Sequence, residues 1–194
     1  MPPGGGAETL LSRSTGTRCA ASTTSKVTQC RSLRSDLRGA KRWDAQKGGG
    51  AELQIGRVTV DDLDAVASLH AHFWGEVSDV AAMARTLAEL DGDSDHILLA
   101  ARVDGSCVGT ATGVICHGLY GGFDSYLVIE DVVVDPAHRR TGVGTALLGE
   151  LERTARERSC KQMILLTESC REDAAALYAS AGFEGRWVGF KKKL

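Results

Sequence analysis

Three groups of residues carry the chemistry this sequence could perform. Glu130 and Asp131 are adjacent carboxylates inside the apolar run "IEDVVVDP". The pattern reads as charge buried in a strand, and a carboxylate held there can take a proton from a reacting group. In a regular strand Val128, Glu130 and Val132 share one face while Asp131 points to the other. The chain then runs "AHRRTGVGT", placing Arg139 and Arg140 ahead of Gly142 and Gly144. Pro136 ends the strand, because its ring removes a backbone donor. Glycines two apart let backbone approach closely, and the first N–H groups of the following helix are unpaired. Those donors and the positive end of the helix dipole make an anion site, for which a pyrophosphate is the natural guest. The third group is Tyr178 in "AALYASAGF", on a short helix before a Gly-Phe turn.

Two rival phosphate motifs fail. A P-loop needs a lysine after its second glycine, and none is present at that spacing. A dinucleotide fingerprint needs a third glycine where Leu147 stands.

The surrounding elements must position these groups. "ELQIGRVTV" reads as a first strand, after which Asp61 and Asp62 cap a helix with Leu63, Val66, Leu69 and Phe73 on its apolar stripe. Val77 to Leu90 is a second helix. "HILLAARV" and "CVGTATGVIC" form a hairpin through Asp104-Gly105, a strong two-residue turn signal. "GLYGG" leads into the strand "YLVIEDVVV". Gly142 to Ser159 is a helix with Val143, Leu147, Leu148, Leu151 and Ala155 on one side. "KQMILL" is a buried strand, "REDAAALYASAG" a short helix stopped by Gly182, and "FEGRWVGFKKKL" closing strand material. The order β-α-α-β-β-β-α-β-α-β predicts an α/β or α+β sandwich, a mixed sheet with helices on its faces.

Charge divides the chain in two. Residues 1–50 hold nine Lys/Arg and three Asp/Glu, about +6, and residues 51–194 hold fourteen and twenty-two, about −8. So acidic a folded part argues against nucleic acid as a partner. No apolar run approaches the roughly 18 residues of a membrane span. The first fifty residues are rich in Ser, Thr, Arg and Gly and show no period. They read either as a disordered extension or as an organelle transit peptide. Six cysteines, with no C-x-x-C pair and no zinc-like spacing, indicate a reducing compartment and no metal. The expected location is cytoplasmic, or a plastid or mitochondrion if residues 1–50 are a transit peptide.

Taken together, "IEDVVVDP", the R-x-x-G-x-G of Arg139–Gly144 and "ALYASAGFE" resemble the GNAT superfamily of acetyl-CoA-dependent N-acetyltransferases over residues 51–194. The resemblance implies that backbone groups of Val132, Val133 and Val134 pair with the pantetheine arm as an added strand. It implies that Arg139, Arg140, Thr141, Gly142, Val143, Gly144 and Thr145 hold the pyrophosphate. It makes Glu130 the base for the acceptor amine, with Asp131 structural or substrate-binding, and Tyr178 the acid for the leaving thiolate. Many relatives carry an asparagine seven residues before that tyrosine; here Arg171 stands there and is expected at the cofactor. "REDAAALY" is similar to aminoalkylphosphonate acetyltransferases, and "IEDVVVD" with "CKQMILL" to glucosamine-6-phosphate acetyltransferases. Both point to a small phosphorylated or phosphonylated amine that Arg171 or Lys191–Lys193 could meet. His70, His72, Phe73 and Trp74 end the first helix near the acceptor entrance, and His117 and Tyr120 stand before the catalytic strand. The implied activity is direct acetyl transfer to a primary amine of a small molecule, in a ternary complex without an acyl-cysteine. A peptide or protein acetyltransferase and a non-catalytic acetyl-CoA sensor are the alternatives. A homodimer is compatible with the family but not written in the residues.

Overall fold

The computed structural model describes residues 52–119, 124–168, 171–185 and 188–192. The expectations for residues 1–50, Tyr120 and Lys193 lie outside the described residues. Five strands form one sheet in the order β1-β2-β3-β4-β5: Leu53–Arg57, His96–Val103, Ser106–His117, Ser125–Val134 and Met163–Leu165. The first four pair antiparallel, and β5 joins β4 in parallel. Helices α1 (Leu63–Trp74), α2 (Val80–Glu89), α3 (Val143–Glu157) and α4 (Glu172–Ser180) complete the order. The fold is thus α/β, a mixed sheet with helices on both faces. No helix among the described residues is long and apolar enough to cross a membrane.

The β2–β3 hairpin forms at Asp104-Gly105, both in the left-handed region (φ 49° and 82°), the conformation a two-residue turn needs to match strand twist. Against one face of the sheet lies α3. Its Val143, Leu147, Leu151 and Ala155 meet Ala111, Ile115, Leu127 and Ile129, and Leu127, Leu147 and Leu151 are fully buried. The approach is close because β3 carries Gly113, where an added Cβ would lie 2.8 Å from Leu151 Cδ2. The other face is covered by α1 through Leu63, Val66 and Leu69.

Asp61 and Asp62 do not cap α1 as the sequence suggests. Thr59 opens a short 3-10 turn, Val60–Asp62, and the Asp62 carboxylate accepts hydrogen bonds from the Thr59 backbone N–H (2.7 Å) and hydroxyl (2.8 Å). Asp62 is also buried against the Arg102 guanidinium of β2, which ties the start of α1 to the sheet. Burial raises its carboxyl pKa, but the bonds from Arg102 and Thr59 outweigh that and hold it below the usual carboxylate range.

The closing strand expected after α4 is absent among the described residues. Residues 188–192 form no ladder, although Gly189 runs against Leu166, where an added Cβ would lie 2.5 Å from its side chain. Val188 and Phe190 are exposed. The alternating pattern is therefore present without the strand pairing that makes a sheet.

Candidate active site

The site begins at an irregularity in β4. Thr112 of β3 faces Glu130 and Thr110 faces Val133, so Ala111 alone opposes both Asp131 and Val132. One extra residue on one strand is a bulge, and Asp131 takes a left-handed conformation (φ 51°) to make it. The regular alternation expected from the sequence is overturned as a result. Glu130 shares a face with Val133, whereas Val132 and Val134 pack toward the core under α3. The supposed burial of the two acids is also corrected, for both Glu130 and Asp131 are exposed. Two adjacent carboxylates were in fact the sequence signal for a bulge, since a regular strand cannot turn both to solvent when one face is core.

Beyond the bulge, β4 loses its outer partner. The parallel ladder with β5 ends at Ile129 opposite Leu165. From Glu130 to Val134 no strand pairs with β4 on its β5 side among the described residues. That leaves an open notch in the sheet, with backbone donors and acceptors along its β4 wall.

The notch leads into the glycine turn. After a 3-10 turn at Pro136–His138, the Arg139 side chain donates to the Val134 carbonyl (3.2 Å) and the Thr141 hydroxyl to the His138 carbonyl (2.7 Å). Arg140 (φ 61°) and Gly142 (φ 94°) both adopt left-handed backbone, which swings the chain into α3. No side chain caps the N-terminus of α3. Its first N–H groups therefore stay available at the positive end of the dipole. Arg139 and Arg140 are exposed, with no ion-pair partner among the described residues. The two glycines serve different needs. Gly142 supplies the left-handed turn, whereas a Cβ on Gly144 would lie 3.0 Å from Leu177 Cδ2 of α4, so Gly144 admits α4 against α3.

Tyr178 stands on α4, half-buried, its ring edge-on to Phe183 at 6.0 Å. Burial raises its phenol pKa; the Arg171 charge opposes the shift and the Asp173 charge adds to it, so the hydroxyl keeps its proton. Arg171 precedes α4 and lays its guanidinium over the Phe73 ring of α1, 4.4 Å from the centroid. This cation–π contact joins α4 to the end of α1, where Phe73 and Trp74 meet edge-on at 4.8 Å. His72 is exposed. Arg171 thus meets the end of α1, and α1 in turn packs over β4. His117 belongs elsewhere, bonded to Ser125 (3.0 Å) and Asp95 (2.9 Å) where β3 meets β4. Lys191 and Lys192 are exposed on the C-terminal segment. The left-handed bulge at Asp131 is the feature that sequence reasoning missed.

The acetyltransferase (GNAT) family model matches residues 63–183. An aminoglycoside N(6')-acetyltransferase type 1 of Stenotrophomonas maltophilia is 31% identical over 135 residues, covering 67% of this chain and 85% of that protein. The solved glucosamine-6-phosphate N-acetyltransferase of Arabidopsis thaliana is similar with a TM-score of 0.64 at 18% identity, covering 73% of this chain and 98% of that one. A solved aminoglycoside N-acetyltransferase in complex with CoA has a TM-score of 0.62 at 21% identity, covering 77% of this chain and 100% of that one. At these identities the solved structures establish the shared fold.

Proposed function

The chain belongs to the acetyltransferase (GNAT) family, and from that premise we propose that it transfers an acetyl group from acetyl-CoA to a primary amine of a small molecule by direct attack in a ternary complex. The observation that carries this reading is the continuity of the open β4 edge, Glu130 to Val134, with the uncapped start of α3. An extended, hydrogen-bonding arm ending in a pyrophosphate fits that path: edge first, anion site second. Acetyl-CoA, when bound, supplies the thioester that acylates the amine.

The chain's own residues then have the following roles. Backbone groups of Val132, Val133 and Val134 hold the arm, and those from Arg140 to Thr145 hold the pyrophosphate, with Arg139 and Arg140 adding charge. Arg171, anchored on Phe73, closes the notch from the α4 side. Glu130, exposed beside the bulge, accepts the proton of the acceptor amine at a carboxylate oxygen. Tyr178 holds a proton at its hydroxyl for the departing sulfur; a phenol kept protonated by burial is suited to that task.

Aminoglycosides head the acceptor panel. The Stenotrophomonas relative is named for that activity, and polycationic amines complement a folded part carrying about −8. Amino-sugar phosphates and aminoalkylphosphonates stand second, since Arg171 is already engaged with Phe73. The test is release of free coenzyme A thiol from acetyl-CoA across both groups, polyamines and short peptides. Tyr178→Phe is expected to lower kcat by about 10²-fold while leaving acetyl-CoA affinity within a few-fold. Turnover of peptides alone would replace the small-molecule reading, and tight acetyl-CoA binding without turnover of any amine would make the protein a sensor.

A further inference from the structure

A second group of reactive side chains lies at the other end of β4 from the glycine turn. His117 ends β3 and Ser125 opens β4, and the two stand directly opposite each other in the ladder. Directly opposed residues hold their side chains within reach of one another. The His117 Nδ1 lies 3.0 Å from the Ser125 hydroxyl oxygen, and its Nε2 lies 2.9 Å from a carboxylate oxygen of Asp95. Asp95 stands just ahead of β2, where its carbonyl accepts from the Ile115 N–H of β3 (2.9 Å). Its other carboxylate oxygen accepts from the Arg158 guanidinium (2.6 Å), which also donates to the Ser94 carbonyl (2.7 Å). Hydroxyl, imidazole and carboxylate are joined in one unbroken hydrogen-bonded line, with Arg158 holding its far end.

That order fixes which group gives a proton and which takes one. Asp95 is held below the usual carboxylate range, first by the His117 hydrogen bond and then, against the effect of burial, by Arg158. An ionised carboxylate only accepts, so Nε2 carries the ring's proton. In the neutral imidazole Nδ1 is then the acceptor, and the Ser125 hydroxyl donates to it. An alcohol turned onto a base, with the base oriented by a third group, is the arrangement that activates a nucleophile. The line is also accessible, since the His117 side chain is 60% exposed. Exposed polar pairs contribute little to stability, so fastening the end of the sheet does not account for it.

We propose that Ser125, His117 and Asp95 form a second, hydrolytic site that takes small carboxylic esters with good leaving groups. The Ser125 oxygen attacks the ester carbonyl carbon as its proton passes to His117 Nδ1. The carbon–oxygen bond to the alcohol breaks, and Nδ1 gives that proton to the leaving oxygen. An acyl-serine remains. Water attacks it, passing a proton to Nδ1, and Ser125 recovers that proton as the carboxylic acid departs. The sum is ester plus water to acid plus alcohol. Ser125 and His117 are the catalytic residues, and Asp95 and Arg158 position the ring. At so open a place solvent carries much of the charge on the developing oxyanion, which is why the ester needs a good leaving group. Five residues of extended strand, about 17 Å, separate Ser125 from Glu130, so this chemistry stands apart from acetyl transfer.

The test treats the full chain with p-nitrophenyl acetate and, separately, with a fluorophosphonate, each followed by peptide mass mapping. An acetyl or phosphonyl group on Ser125 is expected, together with release of p-nitrophenol. Ser125→Ala should abolish both, and His117→Gln should slow both by about 10²-fold. Asp95→Asn should slow them as well and move the ring proton to Nδ1, read from the ring-nitrogen resonances of His117. Acetyl transfer to amines, measured on the same variants, should be unchanged. Absence of any adduct at Ser125 in the unaltered chain overturns the site, whatever the variants do to folding. Labelling that survives His117→Gln undiminished overturns it too. Loss of amine acetylation together with ester cleavage in Ser125→Ala would mean one shared site and overturns a separate one. Labelling of Ser125 in a protein that acetylates no amine upholds the site by itself, because its readout is ester cleavage.

Discussion

At Glu130 a single backbone torsion two atoms further along decides what the side chain can do. Without the bulge, Glu130 would sit in an unbroken ladder, and Val132 would share its face. With Asp131 at φ 51°, Glu130 is exposed on the face of Val133 while Val132 and Val134 turn to the core. Glu130→Gln removes the proposed proton acceptor and keeps the shape, so it is expected to lower kcat/KM by about 10²-fold near pH 7. A steady-state pH profile checks this: if the rate and the acidic limb are unchanged, Glu130 is not the base. The candidate acids, arginines, glycines and tyrosine were all legible as residue types at this scale. Their exposure was not, because burial depends on which face a side chain takes, and the bulge resets that count.

At the scale of elements, the proposed anion site depends on packing as much as on backbone donors. The start of α3 is fixed by α4, whose Leu177 occupies the space a Cβ on Gly144 would need. Gly144→Ala should force the Leu177 side chain of α4 to give way by a few tenths of an ångström, because 3.0 Å is tighter than most Cβ contacts. Weaker acetyl-CoA binding by about 10-fold is expected, with recovery in Gly144→Ala/Leu177→Ala, where the clash is removed; calorimetric titration of the three variants reads this out. If the double variant does not recover, Gly144 matters for the ligand's approach and not for α4. Helix and strand existence was readable from period and turn signals in residues 51–182. The missing last strand was not: residues 188–192 carry a strand-like pattern, yet nothing among the described residues pairs with them. Pairing is a property of two segments, and one segment's sequence specifies only half of it.

For the whole molecule, stability should fall in two steps on acidification. His70 titrates lower in the folded state than when unfolded, so the unfolded chain binds more protons below about pH 6.5, and stability declines as pH falls through that window. Asp62 has a depressed folded pKa through Arg102 and Thr59. The stability it contributes is fully present above the unfolded carboxylate value near 3.9 and is lost as pH falls below it. Urea unfolding from pH 8 to pH 3 should show both declines; His70→Gln removes the first, and Asp62→Asn weakens the second. Asp62→Asn also leaves the Arg102 guanidinium without its charge partner, at a cost of about 2 kcal/mol, or roughly 4–8 °C in Tm for a chain of this size. A single decline near pH 4 in the wild-type protein would remove the His70 contribution.

By themselves, the residues determined the fold class, the glycine-rich strand-to-helix turn and the family. Those rest on local signals: apolar period, a proline stop, arginines ahead of spaced glycines, and a tyrosine before a Gly-Phe turn. The tertiary structure alone decided which groups meet. Asp62 left its expected capping role for Arg102, forty positions away. Arg171 reached α1 by lying on Phe73, and the bulge brought Val132 and Val134 to the core. Each is a contact between segments distant in sequence, chosen by how the sheet twists, where its ladder stops and what fits between its layers. No local pattern encodes such a choice, because its free energy belongs to the pair and not to either residue.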